Sequence, residues 1–593
     1  MAAKNKLELT WIGKDIRPRL EPRILIEEPE LSYHAKARRE GDIFDNLLVQ
    51  GDNLLALKAL EADPAVRGRV KCIYIDPPFN TGAAFEHYED GLDHSIWLGL
   101  MKERIELLKA LLSEDGVLWI HIDDKEMAYL RVMCDEVMGR SNFLNMIVVK
   151  TSDPSGHKTV NPSPYSQTEY ILMYAKDRRF YRYEQRYVET SYDPGYNKFI
   201  TNRGDHYSKW NVVGLNEFIA NKLGCENTKE ARKRFGRVGF DAQVAQFALE
   251  NADSVFQPTA ISKDAGRGIV ELRDKSSGIP DQVMVYHRDN YDDVYILNGR
   301  QVYFYSSKLR IVEGEMVPAK PLTNLWTDIP YNGIAREGGV TFKNGKKPER
   351  LVARCIELTT EPGDLVLDSF AGSGTTGAVA HKMGRRWIMV ELGDHAKTHI
   401  VPRLQKVIDG SDRGGVTEGM GWNGGGGYRF ARLAPSLLEK DAWGNWVMRK
   451  EYNPAMLAEA MCKHFNYTYA PSTENFWMHG HSSETSYIYV TTNSLTGEQL
   501  RALSDEVGEH RSLLICCKAF EEQSALALGN LTIRKIPGAV LDRCEWGQDD
   551  YSLKIESLPM MQDDEDDDVP SAPQRMVKRD AATADLFADK AEV

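Results

Sequence analysis

Asp76-Pro77-Pro78-Phe79 follows the apolar run Lys71-Cys72-Ile73-Tyr74-Ile75, so a carboxylate and a rigid turn stand at the end of what reads as a buried strand. These groups suit chemistry on an exocyclic NH2. The amino group of adenine or cytosine is a poor nucleophile because its lone pair is delocalised into the ring. Two acceptors, the Asp76 carboxylate and the Pro77 carbonyl, can hydrogen-bond both N–H groups and hold the nitrogen in a pyramidal, more nucleophilic state, a form of electrostatic preorganisation. Phe79 offers a flat apolar face for a base turned out of its duplex, and Pro77 and Pro78 fix the backbone that aims it.

A second motif lies far downstream. The apolar strand Leu365-Val366-Leu367-Asp368 runs into Ser369-Phe370-Ala371-Gly372-Ser373-Gly374-Thr375-Thr376-Gly377 and then a helix-like stretch from Ala378 to Met383. Glycines there let a ligand approach the backbone closely. The next strand, Trp387 to Val390, ends in Glu391, about 20 residues beyond the loop, where nucleotide-binding α/β folds grip ribose hydroxyls. No lysine follows the glycines with P-loop spacing, which disfavours a phosphate ligand. S-adenosylmethionine, a nucleoside without phosphate, fits. Strands ending in Asp76 and Asp368 that were neighbours in one parallel sheet would bring the methyl donor and acceptor together at its carboxyl edge.

In this order the two motifs resemble those of the amino-group DNA methyltransferases of the permuted (beta) class, and in detail the modification subunit of type III restriction-modification systems. The resemblance spans residues 40 to 440 and includes Gln50-Gly51-Asp52-Asn53, Asn80-Thr81-Gly82 with Tyr88-Glu89-Asp90-Gly91, Gly116 to Asp124, Glu169 to Lys176, Lys346-Lys347-Pro348-Glu349-Arg350 and Gly424 to Phe430. It implies an α/β fold: a doubly wound, Rossmann-like S-adenosylmethionine-dependent core with permuted motifs, an inserted target-recognition domain and a small C-terminal α/β domain. Asp76, Pro77, Pro78 and Phe79 are then the catalytic residues. Asp52, Lys347, Pro348, Asp368, Phe370, Gly372, Gly374, Thr375 and Glu391 are the expected cofactor contacts, although Asp52 also reads as an ordinary helix N-cap. Implied partners are double-stranded DNA, a second copy of the chain and a separate ATP-dependent nuclease-translocase.

A chain of 593 residues, 42% hydrophobic, can bury several cores. The expected divisions are a polar lead (1–40), the catalytic half of the core (41–150), a target-recognition domain (151–320), the cofactor half (321–430), a dimerisation or docking domain (431–560) and an acidic disordered tail (561–593). No run approaches ~18 apolar residues, and Met1-Ala2-Ala3-Lys4-Asn5 lacks an apolar signal core. The expectation is a soluble cytoplasmic protein. The eight cysteines lack metal-ligand spacing, Asp123-Asp124 reads as a strand-end turn, and no metal is expected.

A net charge of −13 runs against binding a polyanion, but the acidic run Asp563 to Asp568 accounts for six of those charges and reads as a solvated tail. Cations are concentrated between the two motifs. Lys176 to Tyr187 interleaves Arg178, Arg179 and Arg182 with aromatics, and Lys229, Arg232, Lys233 and Arg234 fall on a helix-like segment. Both sets are candidate phosphate contacts.

Methylation of a cytosine ring carbon needs a cysteine nucleophile, usually in Pro-Cys, and that dipeptide is absent. Asp rather than Ser at the first motif position resembles the adenine enzymes and favours N6, with cytosine N4 as the alternative. RNA or protein-glutamine methylation is disfavoured, because those enzymes generally keep the glycine motif first. A further reading is a recognition subunit whose own methylation is secondary to guiding a nuclease. With no P-loop or helicase signature in this chain, ATP-driven restriction would require another polypeptide.

Overall fold

The computed structural model describes residues 8–78, 90–152, 164–312, 314–331, 333–342, 345–525 and 528–552. Its centre is an 11-stranded sheet built from β1 (Leu25–Glu27), β2 (Tyr33–His34), β3 (Asn46–Gln50), β4 (Val70–Ile75), β5 (Leu112–Ile122), β6 (Phe143–Lys150), β7 (Thr168–Ala175), β8 (Leu325–Trp326), β9 (Leu365–Asp368), β10 (Arg386–Glu391) and β11 (Gly427–Leu433). The order is β1-β11-β3-β10-β9-β4-β5-β7-β6-β8, with β2 also on β11. Strands β11, β3, β10, β9, β4 and β5 run parallel, and β7 is antiparallel to β5. The parallel strands are short apolar runs because helices cover both faces.

Alternation along the strands sorts side chains between two cores. Ile73, Ile75, Leu118 and Ile120 face helices α1 (Asn53–Glu61), α2 (Asp90–Leu111) and α3 (Met127–Cys134). Cys72, Tyr74, Val117 and Trp119 face α4 (Glu349–Glu357), α5 (Thr375–Lys382) and α6 (Val401–Ile408). The core is thus a doubly wound, Rossmann-like fold.

The expected boundaries shift in three places. The lead 1–40 contributes β1 and β2, which pair antiparallel with β11, so it belongs to the sheet. The insert, expected as a target-recognition domain from 151, begins later: β7 pairs with β5 on one side and β6 on the other, and the chain leaves the sheet only after Ala175. It contains a six-stranded and a three-stranded sheet with helices Leu215–Lys222, Thr228–Phe235, Arg237–Glu250 and Arg267–Ser277, and the chain re-enters the core at β8. At the other end β11 extends the core to Leu433, ahead of a C-terminal five-stranded sheet that includes Ser486–Val490, Ser512–Cys517 and Leu531–Lys535. The acidic tail lies outside the described residues. All eight cysteines are buried as free thiols. Among the described residues no helix is long and apolar enough to cross a membrane.

Candidate active site

Strands β4 and β9 are parallel neighbours, with Leu367 opposite Ile73. Asp76 and Asp368 therefore emerge side by side at the carboxyl edge of the sheet although nearly the whole core and the insert separate them in sequence. The turn after Asp76 is fixed by the Trp97 indole of α2, which donates to the Pro78 carbonyl at 2.9 Å. Phe79 lies outside the described residues, as do residues 80–89.

A charged cluster surrounds Asp76. Lys347 Nζ lies 3.4 Å from Asp76 Oδ1 and 2.9 Å from Glu169 Oε2. Glu169 Oε2 in turn is 2.6 Å from His121 Nε2, and His121 Nδ1 pairs with the Tyr74 hydroxyl at 2.9 Å. Strand parity explains the convergence: Tyr74 on β4, His121 on β5 and Glu169 on β7 share one face of three adjacent strands, and Asp76 follows directly on the end of β4. Burial pushes the Asp76 carboxyl above its ordinary value, against the opposing pull of Lys347 and His121. Burial also acts to raise Glu169, but contact with His121 and Lys347 outweighs it and holds that carboxyl down at about 2. Two carboxylates a few ångströms apart are thus driven in opposite directions, an arrangement typical of functional sites.

The glycine loop forms the second half. The Asp368 carboxylate accepts from the Phe370 amide at 2.9 Å and the Thr376 hydroxyl at 2.5 Å, tying the loop to the first turn of α5. Its burial raises the pKa to about 7 despite those bonds. Glu391 accepts from the Gly372 amide at 2.7 Å and the Gly393 amide at 3.0 Å. Gly374 (φ 74°) caps α5, and a Cβ there would meet Ile400 Cγ2 at 2.8 Å, so this glycine is required by packing. Gly372 (φ 50°) differs: the nearest atom to a Cβ would be the Phe370 carbonyl at 3.9 Å, so the space in front of it is open. That cradle is bordered by acids rather than by lysine, which fits the sulfonium charge and ribose hydroxyls of S-adenosylmethionine and opposes phosphate.

Several expected cofactor contacts are placed elsewhere. Asp52 is almost fully buried: one oxygen caps α1 through the Leu55 amide (3.1 Å), and the other accepts from the Tyr551 amide (3.0 Å) with Arg104 at 3.6 Å. Its carboxylate is spent on structure. Lys347 reaches toward Asp76 with its ammonium, and its carbonyl meets the loop, accepting from Thr375 Oγ1 at 3.4 Å. Pro348 starts α4, its carbonyl accepting from the Leu351 amide. The Thr375 side chain turns inward to Arg403 Nη1 at 2.8 Å. Phe370 packs at the edge of the core behind Leu367 and Val390.

Sequence reasoning missed that internal scaffold. Arg403 of α6 donates to the Ser373 carbonyl and to Thr375, and pairs with Glu349 of α4 at 2.7 Å; Lys382 also pairs with Glu349 and with Asp412, both at 2.7 Å. Glu349 and both cations are fully buried, so only mutual pairing makes their charges tolerable.

The two candidate DNA-contacting sets are exposed. Arg178 donates to the Phe143 carbonyl (3.4 Å), Arg182 to the Arg179 carbonyl (2.9 Å), and Arg179 is engaged by Asp177. Lys229, Arg232, Lys233 and Arg234 lie on Thr228–Phe235 as expected, where Arg232 pairs with Asp241 at 3.2 Å.

A family profile described as DNA methylase, of N6/N4 type, matches residues 70–402. The chain is 34% identical over 427 residues to the probable type III restriction-modification enzyme HindVI Mod subunit of Haemophilus influenzae, covering 68% of this chain and 55% of that relative. It is 25% identical to the StyLTI Mod subunit of Salmonella typhimurium (63% and 57% covered) and 26% identical to the EcoPI Mod subunit of Escherichia phage P1 (64% and 62%). The chain therefore spans little more than half the length of these relatives. With both signature loops inside a family match that runs over more than half of its residues, the chain belongs to the N6/N4 DNA methylase family.

Proposed function

We propose that this chain transfers a methyl group from S-adenosylmethionine to the N6 amino group of an adenine flipped out of duplex DNA, as the modification and recognition subunit of a type III-like restriction-modification system. The observation that supports the reading is the parallel adjacency of β4 and β9, by which the turn after Asp76 and the glycine loop leave the same carboxyl edge of the sheet. When bound, S-adenosylmethionine supplies an electrophilic methyl group. Asp76 and the Pro77 carbonyl orient the target amine by accepting its two N–H bonds, so that the nitrogen lone pair points at that methyl. As the N–C bond formed, the methyl–sulfur bond would break with its electron pair kept by sulfur, S-adenosylhomocysteine would leave, and the nitrogen would shed a proton to Asp76, whose burial makes it a better proton acceptor than a solvated aspartate.

The relatives' Mod-subunit names support the subunit reading, and the proposal adds a homodimer and a separate ATP-dependent restriction partner. The test is incubation with DNA and labelled S-adenosylmethionine, followed by nucleoside mass spectrometry. N6-methyladenine is expected, N4-methylcytosine would redirect the base assignment, and no labelled base would overturn the reading. Asp76→Ala should lower turnover about 10²- to 10³-fold with cofactor affinity nearly unchanged.

A further inference from the structure

Lys347 is the only cation the described residues place within ion-pair distance of Asp76, yet it is not given over to it. Its ammonium sits 2.9 Å from Glu169 and 3.4 Å from Asp76, and Asp76 Oδ1 is buried without a hydrogen-bond partner. Glu169 is itself anchored from behind. His121, fully buried, presents Nε2 to it, while the Tyr74 hydroxyl engages Nδ1. With Tyr74 donating to Nδ1, the Nε2–H is directed at the Glu169 carboxylate. Tyr74, His121 and Glu169 occupy same-face positions of β4, β5 and β7, set by sheet register, and Lys347 stands two residues before α4.

We propose that Glu169 is a positioning residue: locked by His121 and Tyr74, it holds the Lys347 ammonium off Asp76 and so keeps Asp76 Oδ1 open for the target amine. This rests on the methyl-transfer reading above. Remove the Glu169 charge and, among the described residues, Asp76 is the carboxylate that remains within ion-pair distance of Lys347; the ammonium closes on Oδ1, competes with the substrate N–H and makes Asp76 less basic. Remove Lys347 and Asp76 loses the one ammonium that the described residues bring within ion-pair distance, becoming more basic. The groups facing Asp76 are Tyr74, His121, Glu169, Tyr331, Lys347 and Asp368. Only Lys347 shifts allegiance when Glu169 is neutralised, which gives the two substitutions opposite signs.

The test follows carbodiimide labelling of Asp76 against pH by peptide mass spectrometry, in the full chain, alongside pH–rate profiles for methylation. Glu169→Gln should move the Asp76 labelling midpoint down by about 1 pH unit, and Lys347→Met should move it up by a similar amount, as expected for one charge within hydrogen-bonding range. In Glu169→Gln the acid limb of kcat should follow the labelling midpoint, with kcat at least about 10-fold lower and S-adenosylmethionine affinity unchanged. Glu169→Asp should recover part of kcat. Labelling midpoints that stay put, or move the same way in both variants, overturn the proposal; should one variant not fold, the other still decides by its sign. Absence of methyl transfer in the wild-type protein would instead sink the functional reading, while the labelling arm would continue to judge Glu169.

Discussion

The Gly372 amide donates to Glu391 Oε2 at 2.7 Å, joining the glycine loop to the end of β10 as one unit. Loss of the carboxylate therefore removes an acceptor for ribose and also frees the loop. Glu391→Ala should weaken S-adenosylmethionine binding by at least about tenfold, since a hydrogen bond to a charged group contributes roughly 1.5–3 kcal/mol. Gly372→Val should weaken it further by filling the open cradle, whereas Gly374→Leu should act mainly on stability, through Ile400. Titration calorimetry beside thermal melts separates these effects; unchanged affinity in both Glu391→Ala and Gly372→Val would place the cofactor elsewhere.

Asp368 should give folding stability an unusual pH dependence. Its carboxyl titrates near 7 in the fold against an ordinary value of 3.8, so the native state holds a proton that the unfolded chain has released. Stability from this group is full below the unfolded value and is lost as pH rises through the folded one. Asp368→Asn, which can still pair with Phe370 and Thr376, should remove that slope, gaining in Tm relative to wild type between about pH 4 and pH 8. Parallel Tm curves for the two proteins would refute the assignment. Glu169, held down at about 2, acts oppositely: its contribution is present above 4.5 and lost on acidification below it.

Glu349 is the keystone of the buried charges behind the loop. Glu349→Ala strands Arg403 and weakens the pairing of Lys382, and breaking such a buried network costs about 3–5 kcal/mol. Chemical denaturation should show a loss of that size. Cofactor affinity should fall as well, because Arg403 positions Ser373 and Thr375.

The two exposed cationic sets should differ in DNA binding. Arg179 is already paired with Asp177, while Lys229 and Lys233 make no ion pair among the described residues. Neutralising Lys229, Arg232, Lys233 and Arg234 should flatten the salt dependence of duplex affinity by about 0.9 in log–log slope for each DNA phosphate left without its cation, and by more than neutralising Arg178, Arg179 and Arg182. Anisotropy titrations across a salt series read this directly, and the reverse ranking would move the phosphate track to the loop.

The site was legible where its chemistry is local. Asp76, Asp368 and Glu391 each end an apolar strand, and strand plus turn residues mark such positions within one short window. The ion pair of Lys347 was not legible, because its ammonium bonds Glu169, 178 residues away. A signal for Glu169 existed in parity with Ile171 and Met173 on β7, but parity names a face only once strand order is known. The insert boundary failed for a related reason: an antiparallel core strand such as β7 carries the same pattern as a strand of the insert. Asp52 carries a cap signature and does cap its helix, with Tyr551, 499 residues on, bonding the other carboxylate oxygen.

The position of β4 between β9 and β5 has a consequence for how the molecule comes into being. During synthesis β4 and β5 emerge early, but the partner that covers the other edge of β4 arrives almost 300 residues later, after the insert. Until then a flat apolar strand presents unpaired backbone groups, the kind of edge that recruits other chains. The nascent protein therefore passes through a stage in which the strand bearing Asp76 is open to aggregation, and the edge is closed only when the glycine-loop strand docks.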